Sequence, residues 1–291
     1  MTSPTQPALP TFLPEQPESQ ASDAVRAMYA HIRRAAGVPM VALIFRHLAT
    51  LPGGMAWAWS VIAAPLADGQ LQRRAWAMAD GLDLAPALPV LPQTLRYLGI
   101  DEEALREMAR LSTAYGRANP VNLLALRLIA LRLRTEGDAP ATPPIAAPAP
   151  TDWQPPAPLG PLLPMIDLHS APAELMAVLQ GLSQRGQAVP DAAFVPSYYR
   201  QLASRPPLLA LASLIVPPAF ARIDAAAEQL RRQASAHADE MACLWPAPPP
   251  CPLALRQPML DAVNVFTERI PEMIAVVALL QKALDLPRSG V

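Results

Sequence analysis

Apolar residues recur at helical spacing along nearly the whole chain. In Asp23 to Ala36 they fall at Val25, Met28, Tyr29 and Ile32, one face of a helix, and Gly37 follows as a stop. Val41 to Thr50 continues the pattern after Pro39. Met55 to Ala64 and Leu71 to Gly81 read as two further helices, parted by Pro65 and Gly69. Asp101 is placed as an N-cap, with Glu102 and Glu103 in the first turn, where carboxylates suit the positive helix end. That helix is expected to reach Tyr115. Asn119 then has the position of a second N-cap, and Pro120 that of the first residue of a separate apolar helix to Arg134. The second half reads as helices over Ala173 to Gln184, Val195 to Ser204, Leu208 to Ile215 and Ala219 to Leu244. Met259 to Glu268 and Pro271 to Leu284 complete it. No stretch alternates like a strand. The pattern predicts an all-α chain.

One motif occurs twice. Residues 38–53 (VPMVALIFRHLATLPG) and 192–207 (AAFVPSYYRQLASRPP) share V-x-x-x-Y/F-R-x-L-A-x-x-P, with Arg46 and Arg200 154 residues apart. The Asn119-Pro120 step matches Ile270-Pro271, 151 residues on. Between the copies runs a Pro/Ala tract, which cannot continue a helix or join a central strand. The organisation expected is a flexible tail at 1–20, a helical repeat at 21–136, an extended linker at 137–164 and a second repeat at 165–287. The two repeats would pack as an intrachain pseudo-dimer with a site between them.

Composition narrows the classes. Of 291 residues, 52% are hydrophobic and 16% charged, ample for a core. Net charge is −1, with Lys282 the single lysine, so no basic field draws nucleic acid or an anionic membrane. Cys243 and Cys251 make neither a disulfide framework nor a C-x-x-C, and no histidine cluster stands with them. The N-terminus has no signal-peptide pattern. Leu208 to Ala221 is interrupted by Pro217 and Pro218, and Met273 to Leu280 is short of the ~20 apolar residues a membrane span needs. The expectation is a cytoplasmic chain with no metal, no organic cofactor, no nucleic-acid partner and no membrane.

Three segments in order resemble the group I, D,L-type, 2-haloacid dehalogenases, also catalogued as halocarboxylic acid dehydrogenases. They are VPMVALIFRHLATLPG, LPQTLRYLGIDEEALREMARLSTAYGRANPVNLL and, after the proline-rich linker, PLLPMIDLHSAPAELMAVL. The resemblance implies a doubled all-helical fold and hydrolysis of the carbon–halogen bond of small 2-halo acids. It implies direct attack of an activated water on Cα, with no covalent enzyme ester and no cofactor. It also implies an aspartate base on the second-half loop before the Arg200 helix, and an asparagine at the first-half N-P step.

Carried over, the asparagine is Asn119 and the serine before the base is Ser197. The aspartate position holds Tyr198. The aromatic pair after the first V-P step is replaced by Met40 and Leu43, and a tyrosine three residues after the asparagine by Asn122. A tyrosine, with reference pKa near ~10 against ~3.9 for aspartate, is a neutral phenol at pH 7 and a poor base. Asp191 is the nearest carboxylate in sequence. On this reading Asn119 positions the water or the substrate carboxylate, Ser197 and Tyr198 hydrogen-bond the reacting groups, and Met40, Leu43 and Asn122 shape the pocket. The bland alternatives stand beside it: Asn119 as a mere N-cap, Tyr198 and Tyr199 as core, Arg46 and Arg200 as ties between elements, and Trp57, Trp59 and Trp76 as core. The expected ligand is a small carboxylic acid. The alternative function is a non-catalytic small-molecule-binding or structural protein that keeps the fold, and the sequence leaves a homodimer open. A weaker likeness to the carboxymuconolactone decarboxylase and alkylhydroperoxidase-D fold carries no C-x-x-C here, which argues against peroxidase chemistry.

Overall fold

The computed structural model describes residues 13–86, 90–135, 152–183 and 195–287. Their regular structure is all helical, with no strand among the described residues. The helices are α1 Asp23–Ala36, α2 Leu43–Leu48, α3 Gly54–Ala67, α4 Gln70–Asp80, α5 Pro92–Tyr97 and α6 Glu102–Arg134. After the linker come α7 Ala173–Ser183, α8 Ser197–Leu202, α9 Pro206–Ile215, α10 Phe220–Ala242 and α11 Leu253–Ala283. The longest two, α6 and α11, pack against each other along the centre, with α10 against both and α4 against α6.

Local chemistry sets both ends of α1 and the start of α6. Ser22 and Asp101 cap α1 and α6 by accepting from the backbone N–H of Val25 and Ala104. Gly37 closes α1 in the left-handed region at φ +64. The expected break before Pro120 is absent: α6 runs through it for 33 residues, and α11 runs through Pro271 for 31. An internal proline withdraws one N–H from the helix ladder and strains the preceding turn. In each helix a neighbour donates to that turn. Trp76 Nε1 on α4 reaches the Arg117 carbonyl at 3.0 Å, and Arg231 Nη2 on α10 reaches the Glu268 carbonyl at 2.9 Å. Both carbonyls lie three residues before a proline. Asn119 is therefore a mid-helix residue and caps nothing.

Residues 13–20, expected in a flexible tail, are docked. The Gln16 N–H donates to the Arg46 carbonyl at 2.9 Å, and His47 Nδ1 lies 2.8 Å from the Pro14 carbonyl. Glu15 pairs with Arg46 at 2.9 Å, and Glu18 with Arg33. The segment before α7 repeats the arrangement against α8. The Ile166 N–H donates to the Arg200 carbonyl at 3.2 Å, and Gln201 Nε2 donates to the Leu163 carbonyl at 2.6 Å. Arg200 returns Nε and Nη2 to the Ile166 carbonyl, so it is a tie between elements. Residues 1–12 and 136–151, the latter covering most of the expected linker, lie outside the described residues.

The described end of the linker, 152–166, is extended and strapped across the first half. The Leu159 N–H donates to the Gly37 carbonyl, and Arg117 Nη1 donates to the Ala157 carbonyl at 3.0 Å. Trp153 lies against Gly69, whose φ of +75 and missing Cβ both admit it. Trp57 and Trp76 are core residues as expected, whereas Trp59 is half-exposed beside His31. The run Pro206–Ala242 has the length and hydropathy of a membrane span, yet Pro217 and Pro218 divide it into two helices joined by a tight turn.

Candidate functional site

The faces that α6 and α11 turn toward each other leave a cavity of about 130 Å³. Tyr115, Ala118, Asn119 and Asn122 line it from α6. Phe266, Arg269, Ile270 and Met273 line it from α11, at the same helical spacing. The loop and first turn of α2 add Met40 to Leu43 and Arg46. The start of α8 adds Pro196, Ser197, Tyr198 and Gln201. All six residues singled out from the sequence, Asn119, Tyr198, Met40, Leu43, Asn122 and Ser197, line this one cavity.

The lining positions come in pairs offset by 151 residues on the long helices and 154 on the short ones. Tyr115 matches Phe266, Ala118 Arg269, Asn119 Ile270, Asn122 Met273, and Leu43 Ser197. Each pair joins unlike residues. Two amides therefore face the cavity from α6, while an isoleucine and a methionine do so from α11.

Tyr198 is fully buried. Its hydroxyl is 3.0 Å from Ser112 Oγ and 4.0 Å from Met108 Sδ, neither of which lines the cavity. The ring borders the cavity while the hydroxyl is committed to the core. Burial pushes the phenol's pKa up, with Ser112 opposing only in part. Tyr198 is thus held neutral, the opposite of the shift a base would need. Tyr199 is core, 1% exposed.

Three polar groups are spent on one another. Tyr115 donates to Gln201 Oε1 at 2.6 Å and bonds the Ser197 side chain, and burial raises its pKa as well. Two guanidinium groups, Arg46 and Arg269, also line the site. Arg46 is paired to Glu15, and its buried Nε has no hydrogen-bond partner among the described residues. Asn119 and Asn122 make no side-chain hydrogen bond to the described residues, although Asn122 is only 5% exposed.

Among the described residues no Asp or Glu lines the cavity. Asp191 lies outside them. Nor does any group of three or more His, Cys, Asp or Glu stand together as a metal cage among them. The chemistry on offer is therefore anion attraction from two arginines, hydrogen bonding from two amides, and an apolar remainder. Sequence reasoning missed Arg269, Tyr115 and Gln201. The 151-residue offset that relates the two prolines would have pointed to Arg269, since it falls opposite Ala118, one residue before Asn119.

No family model matches the chain. A configuration-inverting 2-haloacid dehalogenase from Alcaligenes xylosoxydans xylosoxydans is 28% identical over 175 residues, 59% of this chain and 58% of that protein's length. The structure of a D-2-haloacid dehalogenase mutant in complex with D-2-CPA superposes with a TM-score of 0.67 at 18% identity, covering 96% of this chain and 98% of that one. A D-2-haloacid dehalogenase with L-LA gives 0.67 at 17%, covering 96% and 99%. These relatives are described as D-type or inverting, with no D,L-type among them. The all-α architecture of this chain is that of the D-2-haloacid dehalogenase structures.

Proposed function

We propose that this chain is a divergent 2-haloacid dehalogenase whose cavity, between two repeats of a doubled fold, binds a small 2-substituted carboxylic acid. We further propose that it has lost efficient water attack on Cα. One observation carries the reading: the positions matched to that family's site converge on a cavity with two arginines and, among its described lining, no carboxylate. The arginines favour an anion, and the apolar wall of Leu43, Ile270 and Met273 suits a short alkyl chain. Where the resemblance calls for an ionised base stands Tyr198, whose hydroxyl is bonded to Ser112 and whose pKa is raised. Water activation needs a base ionised near neutral pH and within hydrogen-bond reach. The chain then behaves as a binding protein toward the acid, not as an efficient hydrolase.

The repeat is supported by paired details, namely the matched interior prolines Pro120 and Pro271, the backbone ties at Arg46 and Arg200 and the matched lining positions. D,L-type stereochemistry has no support from the relatives, so both enantiomers belong in the test. The test compares wild type with Tyr198→Asp for binding of, and halide release from, D- and L-2-chloropropionate. Binding by both proteins with halide release only from Tyr198→Asp supports the reading. Absence of binding by wild type refutes it.

A further inference from the structure

One cavity arginine already holds a carboxylate. Arg46 lines the cavity, and its Nη1 is 2.9 Å from Glu15 Oε2 on the docked segment before α1. That segment is pinned on both sides of Glu15. His47 Nδ1 lies 2.8 Å from the Pro14 carbonyl, the Gln16 N–H donates to the Arg46 carbonyl, and the Tyr29 hydroxyl donates to the Gln16 carbonyl at 3.2 Å. The Arg46 charge is felt elsewhere on the lining. Burial raises the pKa of the Tyr115 phenol, and Arg46 is among the charges that oppose the rise.

The second half shows what the Glu15 position borders. Leu13-Pro14-Glu15-Gln16 matches Leu163-Pro164-Met165-Ile166 at an offset of 150 residues. Both segments dock alike: the Gln16 N–H donates to the Arg46 carbonyl, and the Ile166 N–H to the Arg200 carbonyl. Met165, in the place of Glu15, is itself a lining residue. The two arginines differ in use. Arg200 donates to the Ile166 carbonyl and is not part of the lining, whereas Arg46 lines the cavity with a carboxylate against it. Resting on the proposed reading of the cavity as a small-carboxylate site, we propose that Glu15 is a built-in counter-charge that sets the affinity of that site: it offsets the Arg46 charge and weakens its pull on an incoming anion. A second carboxylate brought to the same guanidinium meets like charge as well as opposite charge. Glu15 is a positioning residue and acts through Arg46. Glutamine is the informative replacement, because its side-chain carbonyl still accepts from Nη1 while the charge is gone.

Titration calorimetry with sodium D- and L-2-chloropropionate and the neutral 2-chloropropionamide tests this on wild type, Glu15→Gln, Arg46→Gln and the double variant. Glu15→Gln should bind the better chloropropionate enantiomer ~3-fold or more tightly than wild type, the scale of a half-exposed ion pair, with the amide unchanged. The gain should vanish in the Arg46→Gln background, since the two charges act as a pair. Glu18→Gln is the control: it removes a charge from the same segment that pairs with Arg33, outside the lining, and should leave the wild-type affinity. Melting temperatures check that each variant is folded. Unchanged or weaker chloropropionate binding by folded Glu15→Gln overturns the inference while leaving the carboxylate site in place. So does an equal gain in Glu18→Gln. No binding of either enantiomer by wild type or any variant overturns the inference together with the reading beneath it.

Discussion

Tyr198 Oη and Ser112 Oγ stand 3.0 Å apart, both side chains sealed from water, and join the start of α8 to the middle of α6. On the proposed reading this contact holds a phenol at the base position, and it turns the hydroxyl away from the cavity. Tyr198→Phe should cost ~1–3 kcal/mol of stability, because Ser112 then keeps a buried hydroxyl with no partner. Carboxylate binding should stay within ~2-fold of wild type, far less than the ~10-fold that 1.4 kcal/mol represents. Urea denaturation and titration calorimetry read the two effects separately. A stability-neutral variant with lost binding would mean the hydroxyl serves the ligand instead.

Alkaline pH should unfold the protein early. Burial raises the pKa of Tyr29 to about 12, and those of Tyr115 and Tyr198 upward as well. In the unfolded chain these phenols ionise near ~10. Above that pH the unfolded state binds fewer protons than the folded one, so stability falls as pH rises. It is fully present below ~10 and declines toward the folded values, which for Tyr29 is about 12. Melting temperatures across this window should drop steeply, and a flat profile would contradict the burial of the three phenols.

Trp76 ties α4 to the turn of α6 before Pro120. Trp76→Phe keeps most of the packing but removes the Nε1 donor to the Arg117 carbonyl. A loss of ~1–2 kcal/mol in denaturant midpoint analysis is expected. Arg231→Met is the corresponding change for the turn before Pro271.

These prolines also mark where the sequence misleads. The all-α class and the bounds of α1 could be read from periodicity and capping residues, and the six cavity residues are reached only through the family resemblance. The two long helices could not be read. At Pro120 the helix is packed against α4, whose Trp76 donates to the Arg117 carbonyl from 44 residues earlier than the proline, and local pattern carries no trace of it. Asn119 before proline looks like a cap for the same reason. The docking of residues 13–20 was hidden in the same way: its partners are the Arg46 carbonyl and the His47 ring, while its composition reads as a tail. The direction of the Tyr198 hydroxyl depends on Ser112, 86 residues away.

The strap after the linker should be tied to Gly69. An alanine there must hold φ +75 and would drive its Cβ into the Trp153 ring. Gly69→Ala should destabilise by more than ~1 kcal/mol. Adding Trp153→Ala should recover only the steric part, since the backbone strain remains. Fully additive losses in a double-mutant cycle would show that the two do not meet.

Arg269 should set the preference for an anion. Arg269→Gln should weaken 2-chloropropionate binding by ~10-fold or more, the scale of a charged hydrogen bond, and leave the neutral 2-chloropropionamide nearly unchanged. Equal effects on both ligands would assign the arginine to packing.

The most direct measurement pairs calorimetric binding with chloride release for wild-type protein and each enantiomer of 2-chloropropionate. Saturable binding without chloride release above the buffer rate is predicted, because the proposed function gives the cavity two arginines and places a neutral phenol at the base position. Chloride release by wild type at an enzymatic rate would contradict the account.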